Sequence, residues 1–291
     1  MGKMAITGAT GQLGGLTIRH LLSKGVAAGN IVGIVRSPEN AGALRELGIE
    51  IRTGDYDRPE TLAEAFAGIE KLLFVSGPSM DNTLRIRQHA SVVEAARNAK
   101  VGHIAYTGIA FAEKMKLGLE NVHLATEYMI RTTGIPFTFL RNGFYLEILV
   151  NEGLKGIAAS GEIVTSAPNG KMNYATRNDL ALAAATVLAG DGFENRVLEL
   201  TAPEPFTYDE FAAVVSDVAG KPVKHRAVSP EEAVRSMTGA GVPEGMAGFM
   251  VHVVYKAIED GQFGHASRDL KQLIGDGYTT IRQAVTEALN A

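Results

Sequence analysis

Three glycines recur at three-residue spacing near the start of the chain, in Gly8-Ala9-Thr10-Gly11-Gln12-Leu13-Gly14. A short apolar run, Lys3–Thr7, precedes them, and Leu13, Leu16, Ile18, Leu21 and Leu22 follow at helical spacing. Between a strand and a helix such glycines do separate physical work. Gly8 permits a tight turn, Gly11 lets backbone N–H groups approach a pyrophosphate, and Gly14 lets helix and strand pack closely. The positive end of the helix then faces the phosphates. The pattern predicts a dinucleotide site whose turn is Gly8, Thr10, Gly11, Gln12, Leu13 and Gly14. The next apolar run ends Gly33-Ile34-Val35-Arg36-Ser37. A site for NAD places a carboxylate about 20 residues past the glycines, on the ribose 2′-hydroxyl. Here Arg36 stands there, 36 − 14 = 22 residues beyond Gly14, and the first carboxylate is Glu39. A guanidinium pairs bidentately with a 2′-phosphate and offers nothing to a bare diol. NADP(H) is therefore expected over NAD(H).

Other strand ends add candidates, because parallel α/β sheets bind ligands at the carboxyl edge. Asp55, beside Tyr56, is expected near the adenine. Ser76, Gly77, Thr107 and Asn142 close three later apolar runs. Several chemistries lack their residues. None of the eight tyrosines has a lysine four positions on, so a ketone reductase would lack its positioned acid, worth about 10²–10⁴ in rate. The seven histidines show no metal-ligand spacing on a helix, and no metal site is expected. The absence of cysteine removes thiolate nucleophiles and Cys-ligated metals. No G-x-S-x-G elbow occurs. Arg85-Ile86-Arg87 reads as a solvated helix face.

The elements that must position these residues alternate. Apolar strands are predicted at 3–7, 31–35, 49–52, 71–76, 103–107 and 137–140. Helices are predicted after the glycine turn, at 40–47, 59–67, 83–98 and 121–133. Such alternation favours parallel pairing with helices on both faces. The fold expected is α/β: a Rossmann-type doubly wound parallel sheet with a smaller C-terminal α/β substrate lobe. The division is placed at 1–150 and 151–291, with a return to the sheet near 174–201. Residues 153–170 read as loop or short strand, 178–188 as helix and 196–201 as strand. Thr207 with Glu210 predicts a capping box for a helix to about Ala219. The 291 residues suit one large or two modest domains, and 46% hydrophobic with 21% charged residues is ordinary globular composition. A net charge of −4 gives no field for nucleic acid. The apolar run 180–189 is too short to span a bilayer, and the first residues read as a strand, not a signal peptide. A cytoplasmic protein is expected.

Longer stretches carry a resemblance: ITGATGQLGG (6–15), IVRSPENA (34–41), GDYDRPETL (54–62), KLLFVSGPSMDNT (71–83), HIAYTGIAFAE (103–113), VHLATEYMIRTTGIPFTFLRNG (122–143) and VTSAPNGKMNYATRNDLALAAATVL (164–188). With DLKQLIG (269–275) they cover nearly the whole chain. The chain resembles the NmrA-like, atypical short-chain dehydrogenase/reductase group, in particular its triphenylmethane- and quinone-reducing branches. The resemblance implies NADPH on the glycine turn with Arg36 at the 2′-phosphate; Asn40 replaces a second basic residue. In that register Glu127 matches a helix glutamate, Leu119 replaces the usual Tyr and His123 the usual Lys. It implies hydride transfer to a flat, conjugated, electron-poor acceptor, a quinone or triphenylmethane-type dye, which needs no acid from the protein. Tyr106 and His123 are the catalytic candidates, and Met80, Phe111, Phe144 and Tyr145 the acceptor-wall candidates. A small aromatic or quinone-like acceptor is then the partner, with neither nucleic acid nor membrane, and a homodimer stays open. The group also contains NmrA itself, which implies an alternative: a regulator that senses the dinucleotide without turnover.

Overall fold

The computed structural model describes residues 2–290. Strand β1 (Lys3–Thr7) runs through the turn into α1 (Gln12–Ser23) and then β2 (Ile31–Val35). A short α2 (Gly42–Glu46) leads to β3 (Glu50–Thr53). Helix α3 (Pro59–Ala65) carries proline in its first turn, where a missing N–H costs nothing. After β4 (Ile69–Phe74), α4 (Asn82–Asn98) is capped by the Asp81 carboxylate, which accepts the Thr83 and Leu84 N–H groups. Then come β5 (His103–Ile109), α5 (Leu119–Thr132) and β6 (Phe137–Asn142).

β1 to β6 and a later strand form one seven-stranded sheet, and every neighbouring pair is parallel. Alternate residues of β1 face opposite sides, as strand geometry requires. Met4 and Ile6 pack with Ile18 and Leu21 of α1, whereas Ala5 packs with Phe74, Val92 and Ala96 across the other face. The expected doubly wound sheet is present. Its strand order, β3-β2-β1-β4-β5-β6 and onward, reverses direction between β1 and β4. A crevice opens at such a reversal, and ligands bind there.

Past β6 the chain departs. Residues 153–170, expected as loop or short strand, hold a helix, α6 (Leu154–Ser160), before β7 (Glu162–Thr165). Leu154 and Ala158, four residues apart, are buried on its inner face, and that packing overrides the weak propensity of the flanking glycines. After β8 (Lys171–Met172), α7 (Arg177–Ala189) lies against α1, and β9 (Arg196–Leu200) joins the sheet beside β6. β10 (Phe206–Thr207) leads to α8 (Tyr208–Ala219), which begins with the expected capping box of Thr207 and Glu210. β11 (Lys224–Ala227) pairs with β7. A second apolar core gathers Leu146, Leu154, Phe211, Val254 and Phe263. Among the described residues no helix is long and apolar enough to cross a membrane.

One buried cation ties several elements together. Arg141 of β6 donates from Nε and Nη2 to Glu127 of α5, at 2.8 and 2.7 Å. It also reaches Glu113 at 2.7 Å and Glu199 of β9 at 3.0 Å. Glu199 in turn accepts the N–H of Phe111, which sits at φ +54°. Without Glu127, Arg141 keeps Glu113 and Glu199 but loses two charge-assisted hydrogen bonds, each worth about 1.5–3 kcal/mol. Glu127→Ala is expected to lose at least one such bond's worth in urea-unfolding free energy; a loss below about 1 kcal/mol would contradict the role given to this network.

Candidate active site

The turn after β1 is built as a cradle. Gly8 sits at φ +59°, a conformation that side chains resist, and its carbonyl accepts the Gly11 N–H at 2.9 Å. A Cβ on Gly14 would lie 2.4 Å from the Gly8 carbonyl oxygen and 2.9 Å from its carbon. Only a hydrogen fits there. Gly11 is the N-cap of helix α1, which has no side-chain cap and no acidic residue in its first turn. Its first N–H groups are thus left for an anion.

The groove above this turn has a volume of about 400 Å³. All six residues of the turn candidate set line it, together with Arg36, Asp55, Ser76 and Gly77. Arg36 is exposed, and no carboxylate of the described residues lies within 4.0 Å of it. A lone guanidinium at the end of β2 suits a phosphate on the adenosine ribose. Asn40 lines the groove as well. Asp55 is held locally, accepting the Asp57 N–H and Arg58 Nε, each at 3.1 Å. Tyr56 fastens the loop to the sheet: its hydroxyl donates to the Val75 carbonyl at 2.8 Å and lies 2.6 Å from Thr7 Oγ1. The residues present fit a phosphorylated dinucleotide.

A second cavity, of about 380 Å³, shares Val75, Ser76, Gly77 and Pro78 with the groove. Thr107 and Asn142 line this cavity and not the groove. Leu119, His123, Phe144 and Tyr145 line it too, with Phe249 and Phe263 from the C-terminal part of the chain. The Phe249 helix, Glu244–Phe249, continues into a π-helical stretch at Met250–Tyr255 that adds Val254 to the wall. Such turns are frequent at functional sites.

Two wall candidates are placed elsewhere. Met80 is 71% exposed and outside the cavity. Phe111 also lies outside it, with Lys114 over its ring at 5.5 Å. Tyr106 is wholly buried behind the wall, its hydroxyl 2.9 Å from His123 Nδ1. Burial pushes the Tyr106 phenol up to about 12. Burial, with the Arg85 charge second, pulls the His123 imidazole down to about 3. At neutral pH His123 therefore holds no extra proton to give.

Arg85 corrects the sequence expectation of a solvated face. Arg87 is exposed as expected, but Arg85 is only 8% exposed and lines the second cavity. Residues two apart on a helix point nearly opposite ways, so the two arginines could not share a face. Arg85 shares one instead with buried His89, Val92 and Ala96. That stripe was the available signal. His89 was likewise unassigned. Its Nε2 accepts the Gly77 N–H at 3.0 Å, so the neutral ring carries its proton on Nδ1, 2.8 Å from Thr126 Oγ1. Asn173, also unassigned, is fully buried in the cavity wall; its Nδ2 donates to the carbonyls of Phe263 and His265.

His89 and His123 are both pulled down to about 3 in the fold, from about 6.5 in an unfolded chain. The unfolded state then binds more protons below pH 6.5, and stability falls as pH falls through that range. Urea unfolding should show a loss of about 2–4 kcal/mol between pH 8 and pH 5; a flat profile would contradict two buried neutral imidazoles.

The NmrA-like family model matches residues 1–283. Quinone oxidoreductase 2 of Escherichia coli is 37% identical over 287 residues, 99% of each chain. The structure of Citrobacter sp. triphenylmethane reductase complexed with NADP(H) superposes with a TM-score of 0.95 at 53% identity, covering 99% of this chain and 100% of that one. The NADPH-dependent quinone oxidoreductase of Escherichia coli complexed with NADPH gives a TM-score of 0.90 at 37% identity, covering 98% and 99%. A glycine cradle at the sheet's reversal, an unpaired arginine at the end of β2 and a match along nearly the whole chain agree: this protein belongs to the NmrA-like family.

Proposed function

We propose that the protein is an NADPH-dependent oxidoreductase that passes hydride to flat, conjugated, electron-poor acceptors of the quinone or triphenylmethane-dye class, in the cytoplasm. The observation that carries this is the junction at Val75–Pro78, where a phosphate-holding groove opens into an apolar cavity. The relatives named above, a quinone oxidoreductase and a dye reductase, support the same class. When bound, the dinucleotide supplies the hydride. The chain supplies the rest. The Gly8–Gly14 turn and Arg36 hold the phosphates. Ser76, Gly77, Thr107 and Asn142, at three neighbouring strand ends, orient the reactive end. Phe144 and Tyr145 offer faces against which a planar acceptor packs, and the apolar wall keeps water out.

No proton donor is required. Leu119 has no acidic hydrogen, His123 stays neutral, and Tyr106 lies behind the cavity wall with its hydroxyl on His123. A quinone that accepts hydride ends as a phenolate that solvent protonates; a triarylmethyl cation ends neutral. His123 is a positioning residue in this account, set by Tyr106.

Purified protein mixed with NADPH and a naphthoquinone or triarylmethane dye should consume the reduced-nicotinamide absorbance. Saturable NADPH binding with no consumption across a panel of both acceptors would favour a redox sensor. Arg36→Glu should weaken NADPH by on the order of 100-fold and NADH only a few-fold; equal losses would remove the 2′-phosphate role. Leu119→Tyr should leave NADPH affinity within about threefold in a calorimetric titration, a change of under 1 kcal/mol. A large loss would mean that Leu119 faces the dinucleotide and not the acceptor.

A further inference from the structure

The second cavity holds one charged side chain and nothing to balance it. Arg85 comes off the first turn of α4, and no carboxylate of the described residues lies within 4.0 Å of its guanidinium. Its Nη2 donates to Ser76 Oγ at 2.6 Å, and its buried Nε has no partner at all. No aspartate or glutamate lines the cavity. The adjoining imidazoles of His89 and His123 stay neutral and bring no compensating charge. An arginine does not escape by losing its proton. A cation kept out of water without an anion is costly, and buried charges are ordinarily paired. Arg141, a few strands away, shows the paired case, with three carboxylates around one guanidinium.

We propose that Arg85 is the anion-holding residue of the acceptor cavity, binding a negatively charged oxygen of the acceptor or of its reduced product and selecting quinone-like and aromatic-acid ligands over cationic dyes. The assignment rests on the reductase reading above and narrows its acceptor class. A quinone that takes up hydride gains one proton and two electrons, while the dinucleotide is oxidised by the same pair. One quinone oxygen becomes a hydroxyl and the other a phenolate, which water later protonates. In the largely apolar cavity the phenolate pairs with the guanidinium by a charge-assisted hydrogen bond, and the interaction strengthens as the charge develops. A triarylmethyl cation meets the opposite field. Like charges brought together without solvent are strongly disfavoured, so Arg85 works against that acceptor.

Calorimetric titration of NADP⁺-saturated protein with 2-naphthoate, its neutral isostere 2-naphthamide and a cationic triarylmethane dye tests this directly. Wild type should bind the naphthoate at least about tenfold more tightly than the amide. Arg85→Met, which keeps most of the volume, should weaken the naphthoate by about 10- to 100-fold, leave the amide within about threefold and tighten the dye by about tenfold. Arg85→Lys should keep the preference for the anion. NADP⁺ affinity should be the same in all three proteins. Equal binding of naphthoate and amide by wild type overturns the proposal, as does a parallel loss of both in Arg85→Met. A fall in NADP⁺ affinity by the same factor also overturns it, by assigning Arg85 to the coenzyme. The reductase reading fails separately, as wild-type protein that binds the naphthoate but consumes no NADPH with any quinone.

Discussion

Where helix α1 leaves strand β1, its backbone comes so close to the Gly8 carbonyl that a single methyl group at Gly14 would lie 2.4 Å from the oxygen. Everything at the carboxyl edge of the sheet is arranged around that approach. It brings the uncapped end of α1 onto the end of β1, at the place where the strand order reverses between β1 and β4. The crevice and the helix N-terminus therefore coincide, and the unsatisfied N–H groups point where phosphates can enter. Arg36 at the next strand end lines the same groove and adds a positive charge there, which suits a phosphorylated ribose better than a plain one.

The chemistry follows from how the groove is joined to its neighbour. The shared wall, Val75–Pro78, is fastened by side chains from three elements. Thr7 accepts the Val75 N–H at 2.9 Å, Thr107 the Ser76 N–H at 3.0 Å, and His89 the Gly77 N–H at 3.0 Å. Backbone held at that point would set the distance between a dinucleotide in the groove and an acceptor in the cavity, the contribution left to a protein with no acid to offer. The stripe Leu119, His123 and Glu127 on α5 shows how that absence arises. The first faces the cavity with an apolar chain, the second with a neutral ring tied to Tyr106, and the third is committed to Arg141.

Local geometry was legible in the sequence where it is dictated by local chemistry. The glycine turn, the cap at Thr207 and the strand alternation depend on neighbours a few residues away, and these sit at their expected positions. Helix α6 was hidden, because three glycines within nine residues depress helix propensity and only burial of Leu154 and Ala158 in the second core offsets it. Arg85 carries a charge that suggests solvent, yet the buried stripe of α4 runs through its position. Met80 and Phe111 looked like walls by residue type alone. Their placement depends on the Asp81 cap and on the left-handed turn at Phe111, and neither aromaticity nor hydrophobicity reports such things.

The close approach of α1 to β1 is what shapes the phosphate cradle. Calorimetric titration of NADPH into the wild-type protein and into Gly14→Ala, with circular dichroism to show that the sheet persists, measures it most directly. The wild type should bind one equivalent saturably, and the variant, folded but with its helix pushed off the strand, should bind at least about 100-fold more weakly, some 2.7 kcal/mol. A folded variant that binds NADPH as tightly as the wild type would contradict the claim that this turn grips the coenzyme.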